Sequence, residues 1–221
     1  MKKIILILII SLIGFSGFYF YTHTSKPDQH KLNLHRVVKG IEFKKWVNFN
    51  PKDENFSASF PKKPKTSSRD LPIPGSDDFL PYKEFKCETD HDIHFSVSYT
   101  TLPDGWLKYG NSLVLGGALK VIMQELGKTE LVGKETTQFK TFPALDYEHY
   151  TVAKESQKET AGTLILVGNV LYKVEMTYPL ELHLQVQDQL ANFIENFAPK
   201  NVKLSSSLPE HSVPDKSQSL Q

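Results

Sequence analysis

The chain has 221 residues, in which 26 Lys and Arg balance 25 Asp and Glu to a formal net charge of +1. This length suits one ordinary domain with flanking segments. The balanced charge argues against a nucleic-acid partner, because nucleic-acid-binding domains are clearly basic. The single cysteine excludes an intramolecular disulfide, a cysteine-rich zinc site and an iron–sulfur cluster.

The N-terminal segment predicts export. Lys2 and Lys3 precede an apolar run from Ile4 to Tyr21, which is the arrangement of a secretory signal and is long enough to span a bilayer as a helix. Gly14-Phe15-Ser16 is similar to a signal-peptide cleavage site, but the apolar run continues past it into four aromatic residues at positions 18–21. We therefore favour a signal anchor in residues 1–21 over a cleaved signal peptide. The expected location is the inner (cytoplasmic) membrane, single-pass, with the domain facing the periplasm or the cell exterior. The alternative is secretion after cleavage.

Composition divides the exported part into three segments. Residues 22–40 contain no aromatic residue and mix charged and polar side chains, which predicts a tether. Residues 199–221 are rich in serine and lack aromatics, which predicts a disordered tail. The folded domain is therefore expected to span residues 41–198.

Short segments of alternating polarity predict an antiparallel sheet. The predicted strands, in chain order, are 44–49, 56–60, 82–87, 94–99, 131–139, 144–152, 163–167 and 170–178. Gly168 and Asn169 form the two-residue loop of the last hairpin, where glycine in first position indicates a type II′ turn.

Residues 61–78 are rich in Pro, Lys and Ser, and we expect them to form a loop. Four basic residues in this segment are candidates for contact with anionic lipid headgroups, although a solvated loop is the simpler interpretation. They are Lys62, Lys63, Lys65 and Arg69.

The first predicted helix runs from Leu113 to Leu126 and is expected to be capped by Ser112 and closed by Gly127. The pair at 116–117 is Gly-Gly, which costs such a helix about 1–2 kcal/mol relative to alanine. We therefore expect these glycines to allow close packing on the sheet.

The second predicted helix spans residues 181–197, because apolar residues recur there at spacings of three and four. They are Leu182, Val186, Leu190, Phe193 and Phe197. Hairpins with segregated helices predict an α+β domain, an antiparallel sheet of about six to eight strands with two helices packed on it, preceded by the N-terminal transmembrane or signal helix.

Three stretches resemble PsbP-like domains and DcrB-type bacterial lipoproteins. The stretch from Asn55 to Pro64 is similar to their opening strand with its Phe-Pro-x-x-Pro end, the stretch from Gly168 to Val174 to their final hairpin, and Phe193-Ile194-Glu195-Asn196-Phe197 to the end of their closing helix. The order of elements matches across residues 41–198. The resemblance implies an α/β/α sandwich and a role as an extrinsic, non-enzymatic module that docks onto larger assemblies. The chain departs from the lipoproteins because it lacks the lipobox cysteine.

One cluster has the chemistry of a metal site. Strand alternation would place Asp90, Asp92 and His94 on one side, which offers two carboxylates and an imidazole to a cation. The simpler interpretation is a polar hairpin loop, in which Asp is favoured for its local hydrogen bonds to the backbone.

Signatures of catalysis are missing from the sequence, which has no glycine-rich phosphate loop, nucleophile elbow or His-Glu-x-x-His pair. Cys87 falls on the same side of its strand as Phe85, so we expect a core thiol. His149 is expected to be a surface histidine of a strand. No cofactor is predicted.

We therefore expect a non-enzymatic, membrane-tethered module that binds or helps assemble an unidentified protein partner in the envelope. The alternative is an exported protein that binds a small ligand or a metal. An apolar pocket lined by tyrosines with convergent polar groups would favour this alternative. A hydrolase is the third possibility, and the sequence does not indicate an oligomeric state.

Overall fold

A computed structural model describes residues 40–73, 76–152 and 157–200 of the chain. The predicted anchor in residues 1–21, the tether up to residue 39 and residues 201–221 of the predicted tail lie outside these ranges. Within them, no helix is long and apolar enough to cross a bilayer.

The described residues form ten strands, three α-helices and one 3₁₀ turn. The strands are β1 Val47–Phe49, β2 Phe56–Phe60, β3 Lys65–Pro72, β4 Phe79–Glu88, β5 His94–Thr101, β6 Thr129–Phe139, β7 Phe142–Val152, β8 Gln157–Val167, β9 Val170–Pro179 and β10 Ala198–Pro199. The helices are α1 Asp104–Leu107, α2 Asn111–Leu126 and α3 His183–Glu195, and the 3₁₀ turn Leu180–Leu182 precedes α3.

Seven strands form one antiparallel sheet in the order β3-β4-β5-β9-β8-β7-β6, and β1, β2 and β10 form a small second sheet. Helix α2 packs on one face of the large sheet, which we call the α2 face. Helix α3 and the small sheet pack on the other face, which we call the aromatic face. The predicted α+β class and its antiparallel sheet are therefore confirmed.

The β8–β9 hairpin lies at the centre of the large sheet. Its strands pair from Val167↔Val170 at the turn to Lys158↔Pro179 at the far end. Gly168 has a φ of 60°, as the first central residue of a type II′ turn requires. The predicted turn is confirmed. Strand β8, however, begins at Gln157, six residues before the predicted start. The prediction missed these first residues because most of them are polar, although several are buried.

The aromatic face carries the larger core. Phe193 of α3 is completely buried, and its ring centroid lies 5.1 Å from that of Phe95 and 5.3 Å from that of Phe60. Trp46 stacks on the same ring at 6.5 Å. These contacts join the N-terminal strands, the large sheet and the last helix, so the helical register predicted from the spacing of apolar residues is confirmed at Phe193.

Several predicted boundaries are wrong. The loop expected at 61–78 contains strand β3, an edge strand whose residues are nearly all exposed on both faces, so that its sequence shows no alternation. The helix expected from Leu113 starts at Asn111 after Gly110, and Ser112 lies inside it rather than capping it. Pro199, the first residue of the predicted tail, pairs with Phe56 of β2.

The glycine pair in α2 does not serve close packing. A Cβ atom placed on Gly116 or Gly117 would meet no atom within 4 Å other than those of the adjacent residues and the backbone of the same helix. Gly162 in β8 is the contrasting case, because a Cβ there would lie 2.6 Å from the Cβ of Glu175. Gly162, unlike Gly116 and Gly117, is therefore required by contact with a neighbouring strand.

We predict that Phe193→Ala lowers the free energy of unfolding by about 3–5 kcal/mol, the usual loss for a buried Phe and the cavity that it leaves. Leu184→Ala on the same helix is the control, because its side chain is 73% exposed and should cost under about 0.5 kcal/mol. Urea denaturation of both variants measures the difference. Equal losses would contradict the packing of α3.

Gly116→Ala should raise the free energy of unfolding by up to about 1 kcal/mol, because alanine favours helix and the added methyl group meets open space. Gly162→Ala should instead lower it by about 1–3 kcal/mol, because the methyl group has no room. Paired thermal and urea denaturation tests both signs. A loss of stability in Gly116→Ala would show that the glycine is required by packing.

Candidate functional site

A cavity of about 360 Å³ lies on the α2 face, between helix α2 and strands β3, β4, β5 and β9. Its volume is within the range of small-molecule sites, about 300–1,000 Å³. Most of its lining is apolar and includes Leu80, Leu102, Trp106, Val114, Ile122 and Leu171. Gly117 and Ala118 face it from α2, so the small residues of this helix leave the space that larger side chains would fill.

The deep wall of the cavity is polar. Strand pairing places Ser98 of β5 directly opposite Lys173 of β9, on the same face of the sheet. Ser98 is completely buried, and its hydroxyl forms no hydrogen bond of normal geometry among the residues that the structure describes. It lies close enough to the phenol of Tyr82 to oppose the rise that burial causes in the pKa of Tyr82. Since buried hydroxyls in folded proteins are nearly always paired, this position has room for a group that the protein itself does not provide.

Lys173 is held in its charged form by Glu175, which lies two residues further along the same face of β9. The two side chains form an ion pair in which each is less than a fifth exposed. Tyr147 Oη also donates a hydrogen bond of 2.6 Å to Glu175 Oε2. Burial alone would lower the pKa of Lys173, but Glu175 raises it above its ordinary value, and Lys173 lowers the pKa of Glu175 against the effect of burial.

The mouth of the cavity is formed by an ion pair and exposed apolar side chains. Arg69 Nη2 of β3 lies 3.4 Å from Glu125 Oε2 of α2, and the guanidinium carbon lies 5.0 Å from the centroid of the Tyr82 ring. Leu113 and Tyr109 line the same cavity although they are 70% and 61% exposed. The opening is therefore apolar on the side of Leu113 and Tyr109, and on the other side it carries the ion pair of Arg69 and Glu125, whose charges cancel.

A second group of polar side chains lies on the aromatic face, in an open groove between α3 and strands β6 to β8. Ligand atoms of Glu148, Glu159 and His183 lie within 4.8 Å of one another, and they are of types that zinc accepts. However, Glu159 already accepts hydrogen bonds from Tyr178 Oη at 2.7 Å and interacts with His183 Nδ1 at 2.7 Å. The buried carboxylate is thus satisfied by the protein itself.

The residues predicted to bind a metal are only partly brought together. Asp92 Oδ1 lies 3.0 Å from His94 Nε2, and Glu88 joins these two within 4.8 Å. The carboxylate of Asp90 lies instead 2.6 Å from Lys62 Nζ. Lys158 Nζ also lies 2.7 Å from Asp92 Oδ2, and its hydrogen bond is the main reason why the pKa of Asp92 is lowered. Metal binding by Asp90, Asp92 and His94 stays a prediction.

Cys87 is buried on the aromatic face, as expected for a core thiol, and burial raises its pKa. The expectation for His149 is wrong, because it is only 2% exposed and stacks on Tyr147 at 6.2 Å between ring centroids. Burial lowers the pKa of His149. Helix α2 packs on the face of β7 that carries Leu145, Tyr147 and His149, so the polarity of this strand does not indicate its exposure.

Sequence reasoning missed the cavity and its polar wall. Ser98 and Lys173 are distant in sequence and meet only because β5 pairs with β9. The available signal was the charged pair in β9, where Lys173 and Glu175 alternate with fully buried residues. Charged side chains on one face of a central strand are removed from water when the other face packs in the core and neighbouring elements cover the sheet. Such charges have to be paired with each other.

Comparisons with known proteins concern the fold. No family model matches the chain, and no curated protein matches it. The chain is similar to the solution structure of cyanobacterial PsbP (CyanoP) from Synechocystis sp. PCC 6803, with 11% identity, a TM-score of 0.50, and coverage of 72% of this chain and 95% of that chain. It is also similar to a protein of unknown function from Pseudomonas aeruginosa, with 9% identity, a TM-score of 0.40, and coverage of 71% and 99%. The fold-level resemblance to PsbP-like domains is therefore confirmed.

We predict that Glu148→Gln stabilises the protein at neutral pH. Burial and the neighbouring Glu159 carboxylate raise the pKa of Glu148 above its ordinary value of 4.5, so the folded state favours the protonated form. The wild type therefore loses stability as the pH rises from 4.5 through the raised value, whereas the glutamine variant does not. The expected gain at pH 7.5 is under about 1 kcal/mol.

Urea denaturation of Glu148→Gln between pH 4 and pH 8 measures this change, with the exposed Glu135→Gln as control. The stability difference between Glu148→Gln and the wild type should grow with pH, and that of Glu135→Gln should stay nearly constant. A difference for Glu148→Gln that shrinks as the pH rises would contradict the contact between the two carboxylates.

Proposed function

We propose that this chain is a non-enzymatic binding module whose cavity under α2 holds a small, mainly apolar molecule with one polar end. The observation that carries the proposal is the buried Ser98 hydroxyl, which lines an apolar cavity and forms no hydrogen bond of normal geometry among the described residues. An unpaired buried hydroxyl costs about 1–3 kcal/mol, and a bound polar group would recover that cost.

The apolar lining supports the same class of ligand. Trp106, Leu102 and Ile122 present hydrocarbon surface to the cavity, and each CH₂ group that leaves water contributes about 0.8 kcal/mol. The exposed side chains of Leu113 and Tyr109 extend this surface to the mouth. Tyr82 and Tyr109 also line the cavity, and an apolar pocket with tyrosines and polar groups supports a ligand-binding protein over a module that only docks to a partner.

Lys173 supports binding rather than catalysis. Serine and lysine side by side form a hydrolytic pair in some enzymes, and Ser98 and Lys173 lie opposite each other in this way. In such a pair the lysine has to be neutral to accept the proton of the serine. Here Glu175 raises the pKa of Lys173, so the lysine stays charged and acts as a hydrogen-bond donor.

The membrane tether and the envelope protein partner stay predictions from the sequence. A ligand-binding module held at the membrane surface is compatible with both predictions. Crosslinking in membranes, followed by recovery of the chain through a tag, tests the partner independently of the ligand.

The neutral fluorescent dye N-phenyl-1-naphthylamine tests the cavity. We expect saturable binding to one site on the full chain, with a rise in dye fluorescence. Gly117→Leu should weaken this binding by at least about tenfold, because the leucine side chain would occupy the space that Gly117 leaves. Gly116→Leu is the matched control, since Gly116 does not line the cavity, and it should bind the dye as the wild type does.

Ala118→Phe serves as a second blocking variant if Gly117→Leu does not fold, because Ala118 also lines the cavity. Circular dichroism establishes that each variant is folded before binding is compared. Absence of dye binding to the wild type, or equal binding by the folded variants of positions 116 and 117, would contradict the proposed function.

A further inference from the structure

We infer that the polar end of the ligand is an uncharged oxygen acceptor, such as that of an alcohol, ketone or ester, rather than a carboxylate or phosphate. The inference rests on the proposed function and specifies the chemistry of its ligand. It follows from the donors that line the deep wall of the cavity and from the charges that surround them.

The deep wall offers hydrogen-bond donors. The ammonium group of Lys173 has three N–H bonds, and its interaction among the described residues is the ion pair with Glu175. The hydroxyl of Ser98, on the paired strand β5, forms no hydrogen bond of normal geometry among the described residues. The phenol of Tyr82, which lies near both side chains, is a third donor in the lining. A single oxygen atom of a ligand, placed between Lys173 and Ser98, would accept a hydrogen bond from each.

The ammonium group of Lys173 is not free to act as the counter-charge of an anionic ligand. Glu175 neutralises Lys173, and the carboxylate of Glu84 lies close enough to raise the pKa of Lys173 further. Glu84 is directly opposite Ser98 on β4, on the same face of the sheet. A ligand carboxylate at this position would therefore meet two existing carboxylates around one ammonium group, which disfavours its charged form.

The charges at the mouth do not change this conclusion. Arg69 is the cationic side chain that lines the cavity there, and it is paired with Glu125. An anionic head group there would share Arg69 with Glu125 and would be repelled by that carboxylate. A cationic head group would meet the ammonium of Lys173, which lines the cavity, whereas Glu84 and Glu175 are not part of the lining. An uncharged head group is therefore the one that costs least to bury.

Displacement of the bound dye by three molecules with the same eight-carbon chain tests the inference. We expect 1-octanol to displace N-phenyl-1-naphthylamine from the full chain at concentrations at least about tenfold lower than octanoate or octylamine at pH 7.5. Ser98→Ala should weaken octanol binding by about 3–10-fold and leave dye binding nearly unchanged, because the dye depends on the apolar walls.

Glu175→Gln tests the reason for the preference. This change keeps the shape of the side chain and an acceptor for Tyr147 but removes the counter-charge of Lys173, so octanoate binding should strengthen relative to octanol. Octanoate or octylamine binding to the wild type as tightly as octanol would overturn the inference. If the wild type still binds the dye in that case, the proposed function is not contradicted. If the wild type does not bind the dye at all, the proposed function itself is contradicted. If Glu175→Gln does not fold, the wild type and Ser98→Ala decide.

Discussion

The ion pair between Lys173 and Glu175 allows the central strand of the large sheet to be covered on both faces. Burying two charges is costly unless their mutual attraction and further hydrogen bonds compensate for lost water. Tyr147 supplies such a bond to Glu175 by reaching across β8 at Gly162, the residue that pairs with both. The absence of a side chain at Gly162 thus makes a covered, charged strand compatible with helix α2 above it.

The aromatic cluster around Phe193 and the cavity under α2 lie on opposite faces of the large sheet. The aromatic face is filled by interlocking rings around Phe193 and Phe56, as expected of a close-packed interior. The α2 face combines small residues of the helix with long polar side chains of the sheet, and space remains between them. Both faces therefore contribute a buried core, and the α2 face also leaves the space of the cavity.

The sequence predicted those elements whose signal is local. The hairpin around Gly168 and the helix containing Phe193 were found because turn chemistry and helical periodicity act over a few residues. Strand β3 was missed because an edge strand exposed on both sides shows no alternation. The buried position of His149 and the meeting of Ser98 with Lys173 depend on which strands become neighbours, and this is decided by contacts between residues far apart in sequence.

Strand β3 gives the cavity a wall that is held differently from the others. Among the described strands it pairs with β4 alone, and its outer residues are exposed, so its amide protons should exchange with solvent through local opening rather than global unfolding. Arg69 of this strand ties it to Glu125 of α2 by a partly exposed ion pair that salt screens. The residence time of a bound molecule would then follow the motion of one edge strand and shorten as ionic strength rises, while the aromatic core stays closed.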